Sequence, residues 1–438
     1  MHQCRIKARK RKEEKVKPRG SRGGEDAPGC VPTCVREKGG RKNDEKALYE
    51  MKILAINPGS TSTKMAVFED TTPVLNVTLR HSVEDLEPFP KVIDQFEFRK
   101  GLVLKALADN GIPFEFDAVV GRGGLLRPIP GGVYEVNDAM VADIHKVPRS
   151  HACNLGCLIA RELADELHCK AYIADPGVVD ELDEIARVTG SPLMPRTTIW
   201  HALNQRAIAR RFIKEHNAAT GEHMRYEEAN LIVCHLGGGI SIGAHKGGRV
   251  VDVNNAFDGE GPFSPERAGT LPSGQLIDLC YSGRYSKDEL KKRISGKAGL
   301  AAHLGTTHIP EIIERIERGD EYARLVLDAM IYQIAKSIAA LGPVFCGKVD
   351  AILITGGIAY SDYVISHLKE RISYMAPVHV YPGEDELQAL AANALGALTG
   401  ELPMKTYTQK ETKPCSCPER GRRALRGCTK QRMREIWH

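Results

Sequence analysis

Met51-Lys52-Ile53-Leu54-Ala55-Ile56-Asn57-Pro58-Gly59-Ser60-Thr61-Ser62-Thr63-Lys64-Met65-Ala66-Val67-Phe68 is the stretch on which the fold turns. Residues 53–56 and 65–68 are short apolar runs of strand length, joined by a Gly/Ser/Thr turn, and they predict a β-hairpin. The turn has the composition of a phosphate loop. Gly59 lets backbone approach an oxyanion, Ser60, Thr61 and Ser62 bring hydroxyl donors, and Lys64 brings a positive charge. It is not a Walker A loop, because G-x-x-x-x-G-K-[ST] occurs nowhere in the chain. Turns of this composition are also common without a ligand, so this segment alone leaves both readings open.

The same plan returns downstream. Residues 231–234 form an apolar run, followed by His235-Leu236-Gly237-Gly238-Gly239 and a second run at 240–244. Three glycines after a strand cost backbone entropy, which predicts close approach by another group, although a tight hairpin would use them too. The shared plan of 53–68 and 231–245 hints at two related domains whose phosphate turns face one cleft. A third loop, Thr355-Gly356-Gly357-Ile358-Ala359, ends the run 351–354 and opens a helix, a geometry suited to an adenosine phosphate or to a plain βα turn. No G-x-G-x-x-G is present, so a Rossmann dinucleotide site has no support.

Between these loops strands and helices alternate. Strands are expected at 118–120 and 171–174, and helices at 91–109, 155–167, 202–215, 274–282, 287–295, 310–318, 321–341, 361–374 and 386–399. This is an α/β pattern, and 438 residues exceed one ordinary core. No apolar run approaching a membrane span stands out, and the basic N-terminus lacks the apolar region of a secretory signal. Twelve cysteines spread thinly over a chain of this length suit reduced thiols in a cytoplasm.

The net charge of +5 is unevenly placed. Residues 1–50 carry about +7 and 408–438 about +6, flanking an acidic middle. Both ends are rich in Gly, Pro and Arg without hydrophobic periodicity, and are expected to be disordered extensions. The folded part is expected to begin at Met51. A nucleic-acid or membrane role for the basic ends, and a zinc site from Cys30, Cys34, Cys415, Cys417 and Cys428, are the alternatives; the irregular cysteine spacing argues against the latter.

Taken in order, 57–64, Gly121-Arg122-Gly123-Gly124, 235–241 and 355–359 resemble the superfamily of acetate and sugar kinases, heat-shock cognates and actin. Within it the chain is similar to the carboxylate kinases of the acetokinase family over about 51–405. Arg149-Ser150-His151-Ala152-Cys153-Asn154-Leu155-Gly156 and Gly261-Pro262-Phe263-Ser264-Pro265-Glu266-Arg267-Ala268-Gly269 favour the branch that acts on butyrate. The resemblance implies a two-domain actin-like (ribonuclease H-like) ATPase fold with a central ATP cleft. Domain I would comprise 51–178 and 388–407, and domain II, binding the nucleotide, 179–387.

It further implies phosphoryl transfer between ATP and a small carboxylic acid, with Mg2+, in a cytoplasmic homo-oligomer with neither nucleic-acid nor membrane partners. By the same resemblance Arg122 clamps the carboxylate or phosphoryl, His201 steadies the transferring group, and Asp175 stands beside the phosphoryl or metal. His151 is a second active-site histidine. Asn57 and Glu386 attend the magnesium, with neighbouring Glu384 an alternative to Glu386. Asn57, Gly59, Ser60, Thr61, Ser62, Lys64, His235, Gly237, Gly238, Gly239, Gly356, Gly357 and Ile358 hold the nucleotide. One departure stands out: acetate kinases carry an arginine after the Gly-Thr, where this chain has Leu271. Arg267, four residues earlier, is the candidate replacement. That departure disfavours acetate as the substrate.

Overall fold

The computed structural model describes residues 50–146 and 151–408; the basic ends, with Cys30, Cys34, Cys415, Cys417 and Cys428, and Arg149-Ser150 lie outside the described residues. Among the described residues twelve strands form two sheets: β1 (Lys52–Pro58), β2 (Ser62–Glu69), β3 (Thr72–Arg80), β4 (Ala118–Gly121), β5 (Val133–Glu135), β6 (Lys170–Ala174), β7 (Leu231–Leu236), β8 (Ile240–Lys246), β9 (Arg249–Val253), β10 (Ala351–Gly356), β11 (Val378–Pro382) and β12 (Met404–Lys405). The first sheet has the order β12-β5-β6-β4-β1-β2-β3 and the second β11-β10-β7-β8-β9.

The two sheets repeat one topology. An antiparallel meander, β1-β2-β3 or β7-β8-β9, is extended on its first strand by two parallel strands, β4 and β6 or β10 and β11. The short similarity between the two hairpins thus reflects a duplicated five-strand unit. The sequence reading left out its edge strands; β3, with apolar and polar residues mixed, is exposed or half-buried throughout, whereas β7 and β10 are buried along their length.

Side chains of β1 alternate between two cores, as the two-residue period of a strand requires. Leu54 and Ile56 join the core under the helices Phe96–Asp109 and Asn154–Leu167. Ile53 and Ala55 join Leu387, Leu390 and Ala394 of the helix Glu386–Thr399, together with Leu203. Leu203 belongs to the helix Ala202–Thr220, whose Ala209, Phe212 and Ile213 pack instead on β7 and β10 of the second sheet. This helix therefore contacts both sheets, with His201 at its start and glycine in the left-handed conformation at its end (Gly221, φ 74°). The 20-residue helix Glu321–Ala340 lies in a 25-residue segment apolar enough to cross a membrane, an apolar stretch the sequence reading passed over. Half of the apolar window is buried, and Val326, Met330 and Ile334 belong to the core beneath the second sheet.

Candidate active site

The turn between β1 and β2 is closed by the Gly59 N–H donating to Ser62 O at 2.7 Å. Ser60, Thr61 and Lys64 remain exposed at its tip. Beneath it lies Arg99, a fully buried arginine. Its guanidinium donates to the carbonyls of Gly59 (2.9 Å), Ser62 (3.0 Å) and Ser60 (3.3 Å), and to Thr63 Oγ1 (3.0 Å). Gln95 holds its Nε at 3.0 Å. Sequence reasoning missed Arg99; the only signal was a cation on a helix whose neighbours Val103 and Leu107 are core residues. Because Arg99 satisfies four groups of one turn, Arg99→Ala should raise the KM for ATP about tenfold or more, the equivalent of about 1.4 kcal/mol. Initial-rate kinetics check this, and an unchanged KM would remove Arg99 from the site.

Two carboxylates stand where the chain passes from β11 of the second sheet into the helix Glu386–Thr399, which packs on the first. Glu386, in the first turn of its helix where negative charge is favoured, receives hydrogen bonds from Asn57 Nδ2 and from the Arg122 guanidinium. Glu384 instead meets His235 Nε2 at 3.1 Å, and that bond, with Lys64 and Arg122 nearby, pulls its carboxyl down to about 2. Glu384 and Glu386 thus point to different neighbours: Glu384 to the 237–239 turn, Glu386 to Asn57 and Arg122.

Arg122 follows β4, its N–H donating to Ile56 O at 2.9 Å. The glycines around it serve packing. A Cβ on Gly121 would overlap the Gly156 carbonyl, and one on Gly156 would lie 2.6 Å from Arg122 O. The loop is thus seated directly on the first turn of Asn154–Leu167. His151, just before that helix, lies 3.1 Å from Cys153 Sγ, and burial together with Arg122, Arg267 and Arg99 pushes its pKa down. Burial raises the Cys153 thiol to about 11, so it is uncharged near neutrality.

On the other side, His201 stacks flat on His235, with ring centroids 3.8 Å apart at 11°. His235 Nδ1 pairs with Asn204 Oδ1 at 3.0 Å. Burial, His235, Arg267 and Arg122 together pull the His201 pKa well below its usual value. The close approach expected at the triple glycine comes from side chains: Glu384 and His235 crowd Gly237, Glu266 borders Gly238, and the Arg267 guanidinium covers Gly239. Arg267 also donates to Ala256 O and lies over the Phe257 ring at 5.4 Å. Leu271, by contrast, is an exposed apolar side chain.

Gly356 (φ 95°) is glycine because any Cβ would strike Leu236 backbone, whereas Gly357 opens on free space. The Ile358 side chain turns into the core, leaving its backbone at the turn.

Asp175 is placed differently from the other expected residues. It has φ 39° and is fully buried, pairing with Arg206 Nε at 3.0 Å and Arg210 at 3.8 Å, and accepting from Gly132 N at 2.7 Å. Its neighbour Pro176 packs beneath Gly123. Thus the backbone passes under the Arg122 loop while the carboxylate is engaged by Arg206 and Arg210. Asn57, Arg122, Glu386, Glu384, His235, His201, His151 and Arg267 are linked by contact or electrostatic influence; Asp175 stands in a separate ion cluster.

Residues 208–379 match the model of the acetokinase family. Over 358 residues the chain is 67% identical to a "probable butyrate kinase" of Bacteroides thetaiotaomicron, covering 82% of this chain and all of that one. It is 49% identical over 360 residues to "butyrate kinase 2" of Clostridium acetobutylicum, covering 82% and 99% of the two chains. Porphyromonas gingivalis acetate kinase superposes with a TM-score of 0.63 at 19% identity, over 80% of this chain and all of that one. A propionate kinase of Francisella tularensis gives 0.60 at 15%, over 78% and 98%. These two likenesses show the fold alone, the two-domain actin-like α/β fold of acetate kinases. With a duplicated sheet unit and a relative two-thirds identical over its full length, the chain belongs to the acetokinase family, whose members are carboxylate kinases.

Proposed function

We propose that the chain transfers the γ-phosphoryl group reversibly between ATP and butyrate, giving butyryl phosphate and ADP. The observation that carries this reading is the meeting of Arg122, Asn57 and Glu386 beside one glycine-rich turn, with His201, His235 and Arg267 beside the other. A carboxylate oxygen attacks the γ-phosphorus, the bond from that phosphorus to the β–γ bridging oxygen breaks, and ADP leaves. No proton changes hands, so the protein supplies position and charge.

Arg122 offers a planar fork to the carboxylate or phosphoryl oxygens. Exchange of partners makes this possible: Arg122 is held by Glu386 until an anion competes for it. Arg267 and His201 face the transferring group from the second sheet. Exposed Ser60, Thr61 and Lys64 and the 237–239 turn receive phosphates, and open Gly357 borders the adenosine. Asn57 and Glu386 bring hard oxygen donors suited to Mg2+, which prefers one or two such protein ligands with waters and phosphates. When bound, Mg2+ would neutralise charge on the nucleotide's phosphate oxygens. Closure of domain I (51–178 and 388–407) on domain II (179–387) would exclude water, in a cytoplasmic homo-oligomer.

Butyrate is preferred to acetate on the names of the two relatives and on Leu271. Each methylene in an apolar pocket is worth only about 1 kcal/mol, so overlap with isobutyrate and valerate is expected. The test traps acyl phosphate with hydroxylamine, using the full chain, ATP, Mg2+ and a panel of C2 to C5 acids. Hydroxamate formed best from butyrate supports the reading, and product mainly from acetate overturns the substrate. ATP hydrolysis with no hydroxamate from any acid overturns the activity.

A further inference from the structure

Behind His201 runs a buried polar chain that the phosphoryl-transfer scheme leaves unused. Ser241 Oγ lies 2.9 Å from His201 Nδ1. Gln205 Nε2 lies 2.8 Å from Ser241 Oγ and 3.0 Å from the Ser241 backbone carbonyl. Gln205 Oε1 lies 3.1 Å from His245 Nε2, and His245 Nδ1 lies 2.8 Å from the Tyr226 hydroxyl. Gln205, Ser241 and His245 have no solvent exposure.

One fixed group orients the whole chain. The Ser241 backbone carbonyl can only accept, so the Gln205 atom facing it is the amide nitrogen. Gln205 Oε1 then faces His245, whose ring must donate there from Nε2. His245 Nδ1 is left with a lone pair, and the Tyr226 hydroxyl donates to it. In the other direction, Ser241 Oγ accepts from Gln205 and from the His201 backbone N–H at 3.4 Å. The hydroxyl proton then has one acceptor among these groups, His201 Nδ1. The His201 ring proton must therefore sit on Nε2.

We infer that Tyr226, His245, Gln205 and Ser241 are positioning residues that lock His201 in its neutral Nε2–H tautomer, so that it meets the phosphoryl group as a hydrogen-bond donor rather than a base. The part concerning the phosphoryl group rests on the proposed function; the tautomer does not. The groups acting on His201 point the same way. His235 stacks on it and Arg267 and Arg122 approach it, each opposing a second proton on the ring. A neutral donor also suits a reaction in which no proton moves. It stabilises charge on an equatorial oxygen, whereas an imidazolium could protonate the acid and blunt its attack.

The test is a long-range proton–nitrogen correlation spectrum of the full chain labelled with 15N-histidine, with His201 assigned by the pattern lost in His201→Gln. The expected result is an Nε2–H signature that persists between about pH 6 and 8. An Nδ1–H signature, or titration within that range, overturns the inference. Gln205→Glu places a carboxylate where it takes the Ser241 hydroxyl proton for itself. That variant should lose the fixed tautomer and about ten- to a hundredfold in kcat, with the KM for the acid within about twofold. Ser241→Ala should do the same without adding a charge, and serves if the glutamate variant does not fold. A fall in kcat with the tautomer unchanged would overturn the positioning role. The spectrum of the unsubstituted chain decides the tautomer even if no acid proves to be a substrate.

Discussion

Arg122→Ala should lower kcat about a thousandfold while leaving the protein folded. The size follows from what the guanidinium does in a reaction that is almost entirely placement and charge. It is a forked cation, within the electrostatic neighbourhood of His151, His201 and Glu384. Removing it takes away two parallel donors at once. Folding should survive, because the loop is held by main chain: the Arg122 N–H remains on Ile56 O, and Gly121 remains against Gly156. Glu386 keeps its bond from Asn57. Arg122→Lys restores the charge without the planar fork and should recover only part of the loss. Guanidinium ion at millimolar concentration should rescue the alanine variant and leave the lysine variant unimproved, since only the first leaves a space of the right shape. Steady-state rates with and without guanidinium check this. An alanine variant within tenfold of the unsubstituted enzyme would remove Arg122 from the reaction.

How much of this was legible beforehand depended on whether a feature was local. The hairpin at 53–68 could be read because its two apolar runs and its turn are contiguous. The duplicated topology could be glimpsed only through the hairpins, since the parallel additions of β4, β6, β10 and β11 join residues far apart in the chain. Glycines were ambiguous for a physical reason. Gly121 and Gly156 are demanded by helix against loop, Gly239 by Arg267, and Gly356 by Leu236, while Gly357 faces open space. A missing Cβ looks the same in all of these settings. Arg99 was invisible because the turn it supports lies about forty residues away, joined by hydrogen bonds to carbonyls that every residue possesses. Glu384 and Glu386, two residues apart at a helix start, could be separated only by seeing which neighbour each one meets.

Asp175→Asn should destabilise the protein by about 3–5 kcal/mol, a larger cost than a place beside the phosphoryl group would bring. Asp175 is wholly buried and faces Arg206, itself 6% exposed. Arg206 is shared with Glu181 at 3.1 Å; burial opposes its charge, but Asp175, Tyr226 and Glu181 outweigh burial and keep it charged. Neutralising Asp175 leaves an arginine that cannot shed its proton in a site closed to water, with one carboxylate fewer to balance it. The damage would spread through the helix that Arg206 shares with His201, Gln205 and the contacts to both sheets. Thermal denaturation measures this directly. If Asp175 instead serves the phosphoryl group or its metal, the asparagine variant should melt like the unsubstituted enzyme and require far more Mg2+ for half-maximal activity. The two readings thus predict opposite pairs of results. A lowered melting temperature with an unchanged Mg2+ requirement assigns Asp175 to the framework that carries His201. An unchanged melting temperature with a raised Mg2+ requirement means that its carboxylate leaves Arg206 during turnover, and that the ion cluster is a resting arrangement.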